Sequence, residues 1–308
     1  MSLSRLFPIL AIVALAGCAG APLQRAHDLS TAGVAYAQAS ERLMDAAMTA
    51  SIDADSFAKV AAQARGGGSK PSAGQLTKDL EKSDEELIVT LARYQQLRTS
   101  FATLGAYFAA LQDLAANPQS DATASAVKAL GDRCNEINVV LTKHKGLALP
   151  PVKIVELSGL SKLVGDQIHG AAVAAALRRD AATIGRTLVI SQMAIRFAET
   201  DVRDYLALKQ DAFYRNHIKR PYVAQTLGDQ WVEDRRTYLK AVALGKASED
   251  IKTAEAASIQ MQRTWEKILA GDLSTAELHK MLSEINQLLT AVDMLKSAER
   301  PEKRATTQ

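Results

Sequence analysis

Cysteine is nearly absent: the 308 residues hold only Cys18 and Cys134. A disulfide-stapled scaffold is thereby excluded, since such folds rest on several paired cysteines at dense spacing. Proline (8) and glycine (17) are sparse, so few positions force a helix to stop. Aromatic residues make up only 5%, and no segment alternates apolar and polar residues over the length of a half-buried strand. A surplus of one charge is missing too. Lys and Arg number 37 against 34 Asp and Glu, a net charge of +3. So small a bias argues against a nucleic-acid partner, which needs a clustered basic face. No apolar run of about 18 residues follows Cys18, so no simple spanning helix lies beyond that point.

Alanine, in contrast, is roughly one residue in six, and it is the strongest helix former. The length allows one or two domains with an ample core. These features predict an all-α protein.

The N-terminus carries its own signal. Arg5 precedes an apolar run from Leu6 to Leu15, broken only by Pro8, and Leu15-Ala16-Gly17-Cys18 closes it. A positive start, a short apolar region and a small-residue cleavage zone are the parts of a secretory signal peptide. The run is too short for a transmembrane span, which needs about 20 apolar residues. Leu-Ala-Gly-Cys resembles a bacterial lipobox. That resemblance implies a signal peptide over 1–17, cleavage before Cys18, and covalent lipid on Cys18 as the membrane anchor. Ala19, where aspartate would retain the protein at the inner membrane, resembles the sorting pattern for the outer membrane. With residues 1–17 removed only Arg5 is lost, leaving 36 basic against 34 acidic residues. Cys134 would then be an unpaired thiol.

Residues 18–28, containing Pro22, read as a lipidated tether. From Leu29 a stripe at spacings of three and four (Leu29, Gly33, Tyr36, Ser40, Leu43, Ala47, Ala50) marks one face of a helix. A pause is expected near Ser51 to Asp55, after which Phe57 and Val60 resume an apolar face. Gly66-Gly67-Gly68 ends this segment. Beyond it, Leu80, Leu87, Tyr94, Phe101, Phe108 and Ala115 recur every seven residues. Such a repeat predicts a helix packed at coiled-coil-like angles, on the order of 60 Å from Gln75 to Ala116. Ser72 with Gln75 is a candidate capping box at its start, and Asn117-Pro118 stops it.

A third stripe, Val127, Leu130, Cys134, Ile137 and Leu141, places Cys134 on a buried face. Gly146 to Pro151 is the expected boundary between two helical halves, residues 29–146 and 147–298. In the second half, Leu157 to Ala175 and Ile184 to Tyr205 carry stripes, with a break expected near Asp180. Leu227 to Ala270 forms a long segment whose apolar face includes Leu244, Ala247, Ile251, Ala254, Ser258, Met261, Trp265 and Ile268. Ser274 with Glu277 is a second capping box, opening a helix striped by Leu278, Met281, Leu282, Ile285, Leu288, Leu289, Val292 and Leu295. Residues 299–308 read as a disordered tail. Long helices joined by short turns predict an elongated antiparallel bundle.

Chemistry at fixed spacing is scarce. His27, His144, His169, His217 and His279 stand apart from one another, so no metal ligand set is read. Gly66-Gly67-Gly68-Ser69-Lys70 lacks the frame of a phosphate loop and the strand that should precede it. Ser56-Phe57-Ala58-Lys59 matches the Ser-x-x-Lys acylation motif, yet its partner motifs are missing. Asp53-Ala54-Asp55 begins like a calcium loop but has no glycine at the sixth position. No catalytic residue and no cofactor beyond the lipid on Cys18 is assigned.

One stretch does concentrate functional groups. Between Tyr205 and Trp231 lie Tyr214, Arg215, His217, Lys219, Arg220 and Tyr222, rings beside positive charge suited to an acidic partner, lipid headgroups or a glycan. These six residues form the candidate interaction patch. The sequence thus predicts a membrane-anchored periplasmic lipoprotein, a non-catalytic helical interaction or structural module with a protein partner in the envelope. A helical pore-forming or membrane-remodelling protein is the alternative, and an enzyme is a third class.

Overall fold

A computed structural model of the chain describes residues 7–64, 72–116, 132, 168–244, 253–272 and 274–298. Among these residues the protein is all-α, with no strand. The elements are α1 (Phe7–Ala64), α2 (Ala73–Ala116), α3 (Ile168–Phe213), a π-helical turn (Tyr214–Lys219), α4 (Arg220–Val223), α5 (Asp229–Leu244), α6 (Thr253–Ala270) and α7 (Thr275–Ala298). The third stripe with Cys134, the boundary at Gly146 to Pro151 and the tail from Glu299 lie outside the described residues.

The chain divides into two compact units, each drawn from three stretches. The first comprises residues 1–38, 100–192 and 257–286. Its core is built on rings. Tyr36 of α1 meets Phe101 of α2 edge-on at 6.3 Å, and Phe108 meets Trp265 of α6 in the same manner at 6.3 Å. Such edge-to-face pairs add about 0.5–1.5 kcal/mol beyond their area. The Tyr36 hydroxyl, fully enclosed, shares a 2.8 Å hydrogen bond with Ser258 of α6, which keeps two buried polar groups satisfied. Two glycines set how closely α1 and α2 approach here. A β-carbon on Gly105 would lie 3.1 Å from that of Ala37, and one on Gly33 would strike the Phe108 ring.

The second unit comprises residues 39–99, 193–256 and 287–308. Its core is made of smaller residues, and Leu43, Ala47 and Ala50 of α1 and Ile195, Ala198 and Val202 of α3 are all buried. Two tyrosines cross this packing to acids. Tyr94 of α2 donates to Asp201 of α3 at 2.6 Å, and Tyr205 of α3 donates to Asp53 of α1 at 2.9 Å.

Most predicted stripes are the buried faces. Leu29 through Ala50, Ile184 through Tyr205, and Ala254 through Ile268 are enclosed at every position named for them. Both caps also form. Gln75 donates its backbone N–H to Ser72 Oγ at 3.2 Å, although its side chain turns to Asp79 instead of closing the box. Ser274 and Glu277 close theirs reciprocally, at 3.1 and 3.3 Å.

Residues 18–28 are helical, so α1 starts well before Leu29. Three expectations are corrected. No pause occurs at Ser51 to Asp55, because Ser51 and Ser56 return their hydroxyls to the carbonyls four residues back and leave the helix intact. Nor does the chain break at Asp180, so α3 is one helix where two were expected. Asp180 is 1% exposed, and the neighbouring Arg179 grips both its carboxylate oxygens at 2.7 and 2.8 Å. A bidentate guanidinium lets a charge occupy the buried face without breaking the helix. Ala175, expected on the buried stripe, is exposed, while Val173, Ala174 and Leu177 are buried. Finally, only Tyr94, Phe101 and Phe108 of the α2 heptad repeat are buried, while Leu87 and Ala115 are partly exposed. Leu80 is 47% exposed, as are Phe57 and Val60 of α1 at 39% and 66%.

Candidate interaction surface

The predicted patch lies in the second unit, where the chain leaves α3 and reverses into α5. Pro221 has no N–H to give, and its ring crowds the carbonyl of His217 four residues back. Just before it, six residues widen into the π-helical turn Tyr214–Lys219, and the Trp231 indole donates to the carbonyl of Ile218 at 3.0 Å. After α4 the chain turns at Gln225, held left-handed at φ 56°, with Thr226 donating to the Pro221 carbonyl at 3.0 Å. α5 then runs back along the turn. Tyr214 faces Tyr238 at 5.0 Å, His217 meets Asp234 at 3.2 Å, and Tyr222 stacks on Trp231 at 6.0 Å. Residue numbers falling on one side as they rise on the other make this an antiparallel helical hairpin.

Asp234 is its anchor. Its side chain, 16% exposed, meets His217 Nδ1 through one oxygen and accepts from Gln230 Nε2 at 2.8 Å through the other. His217 also stacks on Phe213 at 4.6 Å, nearly parallel. Ile218 is the one patch neighbour turned inward, 6% exposed. Thus all six predicted patch residues are brought together on one hairpin, and all six are exposed. Their rings do not bury against the helices. Tyr222 is 63% exposed even though it is stacked.

The charges divide into held and open. Arg215 is paired with Asp211 at 2.6 Å, and Arg235 lies over the Trp231 ring at 5.7 Å. Lys219 and Arg220 form no ion pair among the described residues, and both are exposed. Asp234, Gln230, Arg235 and Tyr238 were missed by sequence reasoning, although Trp231, Arg235 and Tyr238, spaced by four and three residues, share one helix face and signal that α5 carries the second wall of the surface.

The remaining candidates are placed as follows. Cys18 lies on α1. Ser56 and Lys59 do not form a dyad: Ser56 bonds the Ile52 carbonyl, while Lys59 is held by Asp55 and by Ser83 Oγ of α2 at 2.8 Å. Ser83 in turn donates to Asp55 at 2.8 Å, which makes this a polar clasp between α1 and α2. Both acids of the calcium-like triplet are therefore engaged by protein groups, Asp53 with Tyr205 and Asp55 with Lys59 and Ser83. Among the described residues no three potential metal ligands gather, and no helix is long and apolar enough to cross a membrane.

No family model matches this sequence, and no curated protein or solved structure is similar to it.

Proposed function

We propose that this protein is a lipid-anchored component of the bacterial envelope, held at the outer membrane through Cys18 and facing the periplasm, where it acts as a non-catalytic helical interaction module. The observation that carries this reading is the hairpin at Tyr214–Tyr238. Its fold is fixed by the Trp231 indole, Asp234 and the π-helical turn, yet its rings and two cations are left in solvent. Fixing a hairpin so firmly while leaving large rings uncovered favours recognition over core packing. The lipobox supports the address, because Leu15-Ala16-Gly17-Cys18 stands at the end of an apolar run of signal-peptide length.

The two halves of the reading are tested separately. Metabolic labelling with a palmitate analogue should mark the protein, and Cys18→Ala should abolish the label; labelling that survives the substitution removes the anchor. A photo-crosslinker placed at Tyr222 in intact cells should capture a defined neighbour, and Arg215→Glu, Lys219→Glu and Arg220→Glu together should reduce its yield. An unchanged yield removes the hairpin as the working surface.

A further inference from the structure

The tip of the hairpin combines two features that point to one occupant. From Ala212 to Gly228 the sequence contains no Asp or Glu, while Arg215, Lys219 and Arg220 supply positive charge. At the chain reversal, Tyr222 is 63%, Val223 72% and Leu227 51% exposed. Uncovered apolar groups are thus set at a turn, with open cations immediately behind them. Aliphatic and tyrosine side chains with flanking Lys and Arg suit a headgroup interface, where the apolar part enters the acyl boundary and the cations remain among phosphates. A protein partner would ask for a recess or a flat patch to pack against, whereas these residues stand at the end of a reversal. Asp229, the first acid after the reversal, opens α5 and lies outside the acid-free stretch.

We propose that the hairpin tip, Tyr222, Val223 and Leu227 backed by Lys219 and Arg220, docks on the headgroup region of an anionic lipid bilayer. The proposal rests on the hairpin being the working surface and names its partner. Docking would hold the second unit against a membrane by contacts separate from the lipid on Cys18. The stacked pair of Tyr222 and Trp231, 6.0 Å apart, sets an indole beside the tip as a natural probe of it. The chain's other tryptophan, Trp265, is 2% exposed in the core of the first unit and reports nothing on the surface.

The test uses the full chain carrying Cys18→Ala, mixed with vesicles of phosphatidylglycerol and phosphatidylethanolamine or of phosphatidylcholine alone. The protein should sediment with the anionic vesicles and not with the zwitterionic ones, and brominated phosphatidylglycerol should quench Trp231 emission. Trp231→Phe should lose that quenching. Lys219→Glu with Arg220→Glu should weaken binding by at least about 20-fold, since each cation at an anionic surface contributes roughly fivefold. Tyr222→Ser with Val223→Ser should also weaken it while leaving the charge intact. Equal affinity of the charge-reversed chain, or quenching retained in Trp231→Phe, overturns the proposal. So does a chain that ignores vesicles while residue 222 still crosslinks to one envelope protein; that outcome removes the lipid partner and leaves the interaction module standing. Loss of both signals removes both.

Discussion

Phe108 lies so close over Gly33 that a β-carbon at residue 33 would sit 2.3 Å from its ring. Phe108 is fully buried, edge-on to Trp265 at 6.3 Å and to Tyr107 at 5.7 Å, so it has no free direction in which to move. In α1, Gly33→Ala gains up to about 1 kcal/mol of helix propensity. Overpacking a rigid core costs about 1–3 kcal/mol, and a contact this short belongs at the upper end. Gly33→Ala is expected to lower stability by about 1–2 kcal/mol in urea titrations of the full chain. Phe108→Leu should relieve the clash, so in that background the same change should cost nothing. A rise in the midpoint for Gly33→Ala alone would contradict the contact.

The same helices show what a sequence discloses and what it withholds. A stripe at spacings of three and four reports directly on a helix face, and the faces from Leu29 to Ala50 and from Ile184 to Tyr205 are buried as read. Periodicity states a capacity for burial and does not say whether a neighbour is present. Leu80, Phe57 and Val60 continue their stripes but remain in solvent. No Gly or Pro marks a break near Asp180, and the pairing that lets this carboxylate lie on the buried face, with the adjacent Arg179, is a matter of geometry that periodicity does not carry. On the hairpin, the density of rings and Pro221 were visible in the sequence. The pairings of Asp234 with His217 and Trp231 with Ile218 were not, because they depend on how the chain reverses between them.

Tyr94 is a buried tyrosine that donates to the carboxylate of Asp201. Burial, then hydrogen bonding to Asp201, holds its phenol well above the ordinary range. A hydrogen bond to a charged acceptor contributes about 1.5–3 kcal/mol when both groups are buried. Asp201 is only half-buried, so Tyr94→Phe should cost about 1–2 kcal/mol. Asp201→Asn should cost less, since the amide oxygen still accepts. Urea midpoints of both variants check the order, and equal losses would show that the charge and not the hydrogen bond matters.

Two carboxylates give the second unit opposite responses to pH. The Lys59 hydrogen bond, helped by Ser83, lowers the pKa of Asp55. Its stabilisation is complete above the unfolded carboxylate range and is lost as pH falls through the folded value. Burial, reinforced by Asp45 and opposed by Arg98, raises the pKa of Glu41. Its contribution is complete below the unfolded value and is lost as pH rises through the folded one. Asp55→Asn should therefore flatten the acid side of the stability profile, whereas Glu41→Gln should raise stability at neutral pH and flatten the other side. Denaturant midpoints from about pH 3 to about pH 7 separate the two. A profile for Asp55→Asn that parallels the unmodified chain would dissolve the clasp as a source of stability.

Asp234 sets the rigidity of the hairpin independently of the core. It holds His217 at 3.2 Å and Gln230 at 2.8 Å from a partly shielded position, and these contacts stay within the hairpin. Asp234→Ala should leave global stability nearly unchanged, because the helix faces that enclose Ile195, Ala198 and Val202 do not involve it. Local opening should become easier by about 1 kcal/mol, the worth of one hydrogen bond, giving roughly fivefold faster amide exchange over residues 217–223. Asp234→Asn should be intermediate, since an amide oxygen still accepts from Gln230. Hydrogen exchange followed by mass spectrometry reads the segment directly. If exchange quickened equally in α3 near Ile195, the hairpin would be part of one cooperative unit with the helices below it, and Asp234 would be a core residue in all but position.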